Sequence, residues 1–101
     1  MLVPLSKGSI VRKLALSKSV IASLTELQSK QFKQVMGKIL SLLSDPMPPD
    51  SLQLKGFDNY RRTDSGEFRI VYRFDDTTIA ISLVGKRNDD EVYRQLKKLL
   101  D

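Results

Sequence analysis

The chain has 101 residues, 41% of them hydrophobic, which suits one domain over 1–101 with a single core. It contains no cysteine and no histidine, which excludes disulfides, thiolate chemistry, a Ser-His-Asp triad, a histidine-pair ribonuclease and a histidine-ligated zinc hydrolase. Seventeen basic against twelve acidic residues leave a net charge of +5, a balance that favours polyanionic partners.

No apolar run reaches 18 residues, and Met1 to Lys7 lacks the pattern of a secretory signal, so a cytoplasmic protein with no membrane association is expected. Residues 51–101 are nearly balanced in charge, yet they hold every arginine except Arg12. Their acids gather at turns and helix starts, whereas the arginines lie in strand-like runs. A strand face can therefore be locally basic although its segment is not.

Residues 1–9 contain Pro4 and Gly8 and show no sustained period, so they predict an irregular arm. Val11 to Leu16 is compatible with a strand. Ser17 or Ser19 then caps a helix with apolar positions at Val20, Ile21, Leu24 and Leu27. A second helix, capped at Ser29, carries Phe32, Val35, Met36, Ile39, Leu40, Leu42 and Leu43 at three- and four-residue steps as far as Asp45-Pro46. Lys30, Lys33 and Lys38 read as its solvated face. Met47-Pro48-Pro49-Asp50 ends the helical half, because each proline lacks a donor and disfavours helix before it.

Tyr60 to Thr63 predicts a strand, followed by a three-residue turn at Asp64-Ser65-Gly66. That turn pairs Thr63 with Glu67 and sets Arg61 opposite Arg69. Glu67 to Phe74 alternates strictly: Phe68, Ile70, Tyr72 and Phe74 form one face, and Glu67, Arg69, Val71 and Arg73 the other. Arg69 and Arg73 then share that face, an arrangement suited to holding phosphate. Thr77 to Val84 predicts a third antiparallel strand with Ile79, Ile81 and Leu83 on one face; a two-residue turn pairs Ile81 with Ile70 and Ser82 with Arg69. Asn88 caps a final helix in which Val92, Leu96, Leu99 and Leu100 face the sheet. Asp89, Asp90 and Glu91 are better explained by that cap and the helix dipole than by a metal site.

The order is strand, helix, helix, three antiparallel strands and a short helix, an α+β chain with a helical hairpin on a small sheet. Leu54-Lys55-Gly56, Tyr60-Arg61, Gly66 to Tyr72, and Val84-Gly85-Lys86-Arg87 followed by Glu91-Val92-Tyr93 resemble the RelE branch of the RelE/ParE superfamily of toxin-antitoxin toxins. The resemblance spans residues 10–101. It implies a RelE-like fold and a ribosome-dependent mRNA interferase that cuts mRNA in the ribosomal A site by attack of the ribose 2′-hydroxyl, with no metal or cofactor. A cognate antitoxin is the implied protein partner.

Carried over by position, the resemblance makes Arg61, Arg69, Arg87 and Tyr93 catalytic and Lys55, Arg62 and Lys86 RNA-binding. The chemistry agrees, because fixed guanidinium groups stabilise charge that builds on phosphoryl oxygens. A tyrosine acts as a base only where cations lower its pKa, and it can instead stack on a nucleobase. Two departures stand out. The family often has a second basic residue two places after the first on the second strand, where this chain has Thr63, with Arg62 one residue early. Strict alternation also directs Lys86, not Arg87, to the face of Arg69, unless Gly85 forms a bulge. A ParE-like inhibitor of DNA gyrase and a catalytically degenerate binding module share the fold and are the alternatives.

Overall fold

The structure is a computed structural model and describes residues 11–87 and 91–100. The expected arm at 1–9 and the caps at Asn88, Asp89 and Asp90 lie outside the described residues.

Among the described residues eight elements follow in order: β1 (Lys13–Leu16), α1 (Lys18–Thr25), α2 (Ser29–Leu42), β2 (Leu52–Gln53), β3 (Arg61–Ser65), β4 (Phe68–Phe74), β5 (Thr78–Lys86) and α3 (Glu91–Leu100). The strands form one sheet in the order β1-β5-β4-β3-β2. β1 runs parallel to β5 and the other neighbours are antiparallel, so the fold is α+β with a mixed sheet. The two helices carry the chain from β1 to β2 at the far edge, and the antiparallel strands β2 to β4 lead back to β5, which together make the long connection that a parallel pair needs.

Ser17 caps α1 as expected, its hydroxyl accepting from the Val20 N–H at 3.2 Å. The cap of α2 is Gln28, one residue before the expected Ser29; its own N–H is satisfied by Gln31 Oε1 at 3.3 Å. The α1–α2 hairpin buries Val20, Leu24, Val35, Ile39 and Leu42 against Phe68, Ile70, Tyr72, Ile79 and Ile81. The alternation of β4 thus fixes this face as the sequence predicts. Tyr72 is fully buried and its hydroxyl donates to the Pro46 carbonyl at 2.6 Å, which ties the end of the helical half to the sheet.

The opposite face is also covered. Leu54, Val71, Leu83, Val92 and Leu96 form a second buried cluster, with Phe57, Tyr60 and Tyr93 packed at its margin. Val71 therefore belongs to a core, although it shares its face with Arg69. Of the four apolar residues expected to hold α3 on the sheet, Val92 and Leu96 do so, whereas Leu99 and Leu100 are exposed. Contact between α3 and the sheet depends on Gly85: a Cβ there would lie 2.7 Å from Val92 Cγ2.

Both strand registers differ from the sequence expectation. The β3–β4 loop contains two residues, Gly66 and Glu67, with Ser65 paired to Phe68, Asp64 to Arg69, Thr63 to Ile70 and Arg61 to Tyr72. Gly66 has φ +59, as the first central position of a two-residue II′-type hairpin requires. Moving the turn reverses the parity of β3, because side chains alternate with period two. Arg61 and Thr63 thus leave the Arg69 face, and Arg62 and Asp64 join it.

On the other side of β4, Arg69 pairs with Gly85 and Ile70 with Val84, not with Ser82 and Ile81. The register slips between Val71 and Tyr72, leaving Ser82 as an extra residue. This bulge sends Ile81 and Leu83 to different clusters, although plain alternation put them on one face.

Candidate functional site

The Gly66 end of β4 holds a polar cluster on the face covered by α3. Arg69 lies on β4 with 15% of its side chain exposed, and Asp64 stands opposite on β3. Arg69 Nε donates to Asp64 Oδ1 at 3.0 Å and Nη2 donates to Oδ2 at 3.5 Å. From α3, the Tyr93 hydroxyl accepts from Arg69 Nη1 at 3.2 Å, and the guanidinium carbon lies 6.0 Å from the Tyr93 ring centroid. The Asp64 carboxylate, and to a smaller degree Tyr93, raise the pKa of Arg69 against the opposing effect of burial.

These contacts have a chemical consequence. A guanidinium has five N–H donors, so Arg69 retains donors on Nη1 and Nη2 after binding Asp64 and Tyr93. The Tyr93 oxygen accepts from Arg69, which leaves its own proton to be donated elsewhere. The cluster can therefore hold an anionic oxygen beside a hydroxyl donor.

Arg87 follows the end of β5, and its N–H donates to the Glu67 carbonyl at 2.9 Å, which continues the β4–β5 ladder. Gly85 faces Arg69, so the two-residue period brings Arg87 to the Arg69 face and Lys86, paired with Phe68, to the other. The bulge that permits this is at Ser82, not at Gly85. Lys86 lines a shallow groove on the α1–α2 side with Glu26, Gln31 and Glu67.

The remaining expected residues divide. Arg62 pairs with Val71 and lies on the Arg69 face, diagonal to Arg69. Arg61 is turned away, and its Nη2 donates to Ser51 Oγ at 2.8 Å and to the Ser51 carbonyl at 3.2 Å. Lys55 is exposed in the loop between β2 and β3. Thr63 is buried and donates to Asp50 Oδ2 at 3.3 Å, so it belongs to the protein interior. Arg62 is therefore the first residue of the second strand on this face, and the place two residues further is Asp64, an acid.

Sequence reasoning missed Asp64, which it read as a turn residue. The signal was present: Gly66-Glu67 as a Gly-X hairpin loop makes Asp64 the partner of Arg69. Among the described residues no group of three or more Asp or Glu side chains could hold a metal ion, and no helix is long and apolar enough to cross a membrane.

A helical hairpin and a C-terminal helix on opposite faces of a five-stranded mixed sheet, with an arginine-tyrosine pair at one end, define a small α+β domain. A family model described as the ParE toxin of type II toxin-antitoxin systems, parDE, matches residues 14–91. The chain belongs to that family, within the RelE/ParE superfamily. Several solved structures share the fold. A mutant of the E. coli toxin RelE in the free state has a TM-score of 0.75 at 21% identity, covering 91% of this chain and 100% of that one. The toxin-antitoxin complex RelBE2 from Mycobacterium tuberculosis gives 0.67 at 21%, covering 77% and 100%. The archaeal RelE-RelB complex from Pyrococcus horikoshii gives 0.66 at 21%, covering 77% and 97%. No curated protein matches the chain.

Proposed function

We propose that this toxin is a ribosome-dependent mRNA interferase of RelE type. The observation that carries the reading is the Arg69–Tyr93 pair at 3.2 Å, with Arg87 brought to the same face by the β5 bulge. In the proposed reaction the ribose 2′-oxygen attacks the adjacent phosphorus, the bond from phosphorus to the 5′-oxygen breaks, and a 2′,3′-cyclic phosphate and a 5′-hydroxyl result. Arg69 and Arg87 stabilise the charge that builds on the nonbridging oxygens, so the positive charge comes from the protein itself and no metal is required. Tyr93 gives its hydroxyl proton to the departing 5′-oxygen, water takes the proton released by the attacking 2′-hydroxyl, and solvent reprotonates Tyr93.

Asp64 orients Arg69, and Arg62 supplies further positive charge beside it. Arg61, bound to Ser51, supports the β2–β3 edge and contacts RNA from the other end of the sheet, and Lys55 and Lys86 remain peripheral phosphate contacts. RelE structures solved as complexes with RelB support a cognate antitoxin as the protein partner here. The site of action on this reading is the ribosome in the cytoplasm.

Induced expression followed by mapping of mRNA 5′ ends on translating ribosomes tests the proposal. Cuts inside translated codons should appear with the wild type and fall at least about 100-fold with Arg69→Ala, the scale expected for losing a transition-state donor. Intact mRNA accompanied by gyrase-linked DNA damage would overturn it in favour of a ParE-like inhibitor.

A further inference from the structure

We infer that a second groove, centred on Tyr60 and Arg73, is a subsite for single-stranded RNA, seating one base and its phosphate away from the Arg69 cluster. The inference rests on the proposed RNA substrate and adds a binding site for it. The groove has a volume of about 690 Å³ and lies at the Phe74 end of β4. Its lining includes Tyr60, Arg61, Arg73 and Phe74 together with Asn59 and Gln53.

Three properties point to a nucleotide. First, the guanidinium groups meet rings: Arg73 lies 5.9 Å from the Tyr60 centroid, and Arg12, at the same end of the sheet, lies 5.5 Å from that of Phe74. A flat ring with a guanidinium over it is a platform on which any base can stack. Second, the positive charge is not cancelled. Among the described residues neither Arg61 nor Arg73 forms an ion pair, and Arg61 Nε is buried without a partner. The one acid among the described lining residues, Asp75, is turned into its own loop, where Oδ1 accepts from Thr77 N at 2.8 Å, Thr78 N at 2.9 Å and Thr77 Oγ1 at 3.1 Å.

Third, the groove is in line with the first site. Arg69 and Arg73 share a face of β4 about 13 Å apart, four residues at roughly 3.3 Å each. Arg62, opposite Val71, is the diagonal neighbour of both. The three arginines form a zigzag from the Arg69 cluster to the groove, which matches the repeating charge of a polynucleotide. An acidic peptide would satisfy the charges but offers no planar ring to stack on Tyr60.

The test is fluorescence anisotropy of the full chain with fluorescein-labelled eight-nucleotide RNA, and with the same RNA carrying abasic sites, at 50 and 200 mM salt. Arg73 is exposed, so Arg73→Glu should fold normally, which circular dichroism verifies. We expect Arg73→Glu to weaken RNA binding about 10-fold and to lower the salt slope by about 1. Tyr60→Leu, which keeps an apolar side chain at the margin of the core, should weaken intact RNA at least about 5-fold and abasic RNA little. Unchanged affinity and salt slope in Arg73→Glu would overturn the subsite, as would a wild type that binds no RNA or that polyglutamate competes as well as RNA does. The two readings separate cleanly. mRNA cuts lost in Arg69→Ala beside unaltered RNA binding in Arg73→Glu remove only the subsite. Arg73-dependent binding by a protein that makes no cuts removes only the nuclease.

Discussion

Asp64 and Arg69 face each other across the β3–β4 hairpin, and the carboxylate takes the Nε and Nη2 edge of the guanidinium at 3.0 and 3.5 Å. The pair is partly exposed, with side-chain exposures of 15% for Arg69 and 32% for Asp64, so its contribution to stability is small, about 0.2–1 kcal/mol. Its value is orientation. Asp64→Ala should leave the melting temperature nearly unchanged while lowering kcat for mRNA cleavage about 10- to 100-fold, as a misplaced catalytic group does. KM should not rise, because the variant removes a negative charge from an RNA site. A steady-state measurement on ribosome-bound mRNA separates the two parameters.

Gly85 is required for α3 to approach the sheet. Alanine would place its Cβ 2.7 Å from Val92 Cγ2, and a β-branched valine in a helix has few rotamers with which to yield. Gly85→Ala should therefore shift α3 outward, part Tyr93 from Arg69 and destabilise the fold by about 1–3 kcal/mol. The double variant Gly85→Ala/Val92→Ala removes the clashing methyl and should restore part of the lost activity, which a cleavage assay on both proteins measures.

Tyr72 is fully buried and donates to the Pro46 carbonyl at 2.6 Å. Tyr72→Phe keeps the ring and leaves that carbonyl without its partner, at a cost of about 1–3 kcal/mol. In a domain of this size the melting temperature should fall by about 4 °C or more. Differential scanning calorimetry checks it.

Acid should destabilise the protein through two carboxylates. The Lys38 ammonium beside Asp50, mainly through its hydrogen bond, holds that carboxyl below its ordinary value of 3.8. The backbone N–H groups of Thr77 and Thr78 do the same for Asp75. A folded value below the unfolded one gives stability that is fully present above the unfolded value and is lost as pH falls through the folded one. The melting temperature should thus be flat from pH 7 to about 5 and drop below about pH 4. Asp75→Asn keeps an acceptor for its turn but does not titrate, so its drop should be shallower in a pH series of thermal melts.

Every element but β2 was legible, because each has a local cause; Leu52-Gln53, a two-residue edge strand, read as loop. Pro46, Pro48 and Pro49 keep helix from resuming after α2, Ser17 caps α1, and the alternation of Phe68, Ile70, Tyr72 and Phe74 fixes the face under the helical hairpin. Arg69 and Tyr93 were also legible, and the structure brings them into contact. The expected facing of Arg61 and Arg69 was not borne out, because it depended on a turn one residue longer than the one that forms.

The sequence by itself determined the order of the elements other than β2, the buried face of β4, and a stock of side chains rich in arginine and lacking histidine. Those are properties of composition, period and local stops. Only the tertiary structure decided which arginines meet. A two-residue loop at Gly66-Glu67 and one extra residue at Ser82 each reverse the parity of a strand. Together they bring Asp64, Arg62 and Arg87 to the Arg69 face and turn Arg61 and Lys86 away. Side chains alternate with period two, so a single residue in a turn or bulge moves every later side chain to the other face, and the packing of both sheet faces selects which register survives.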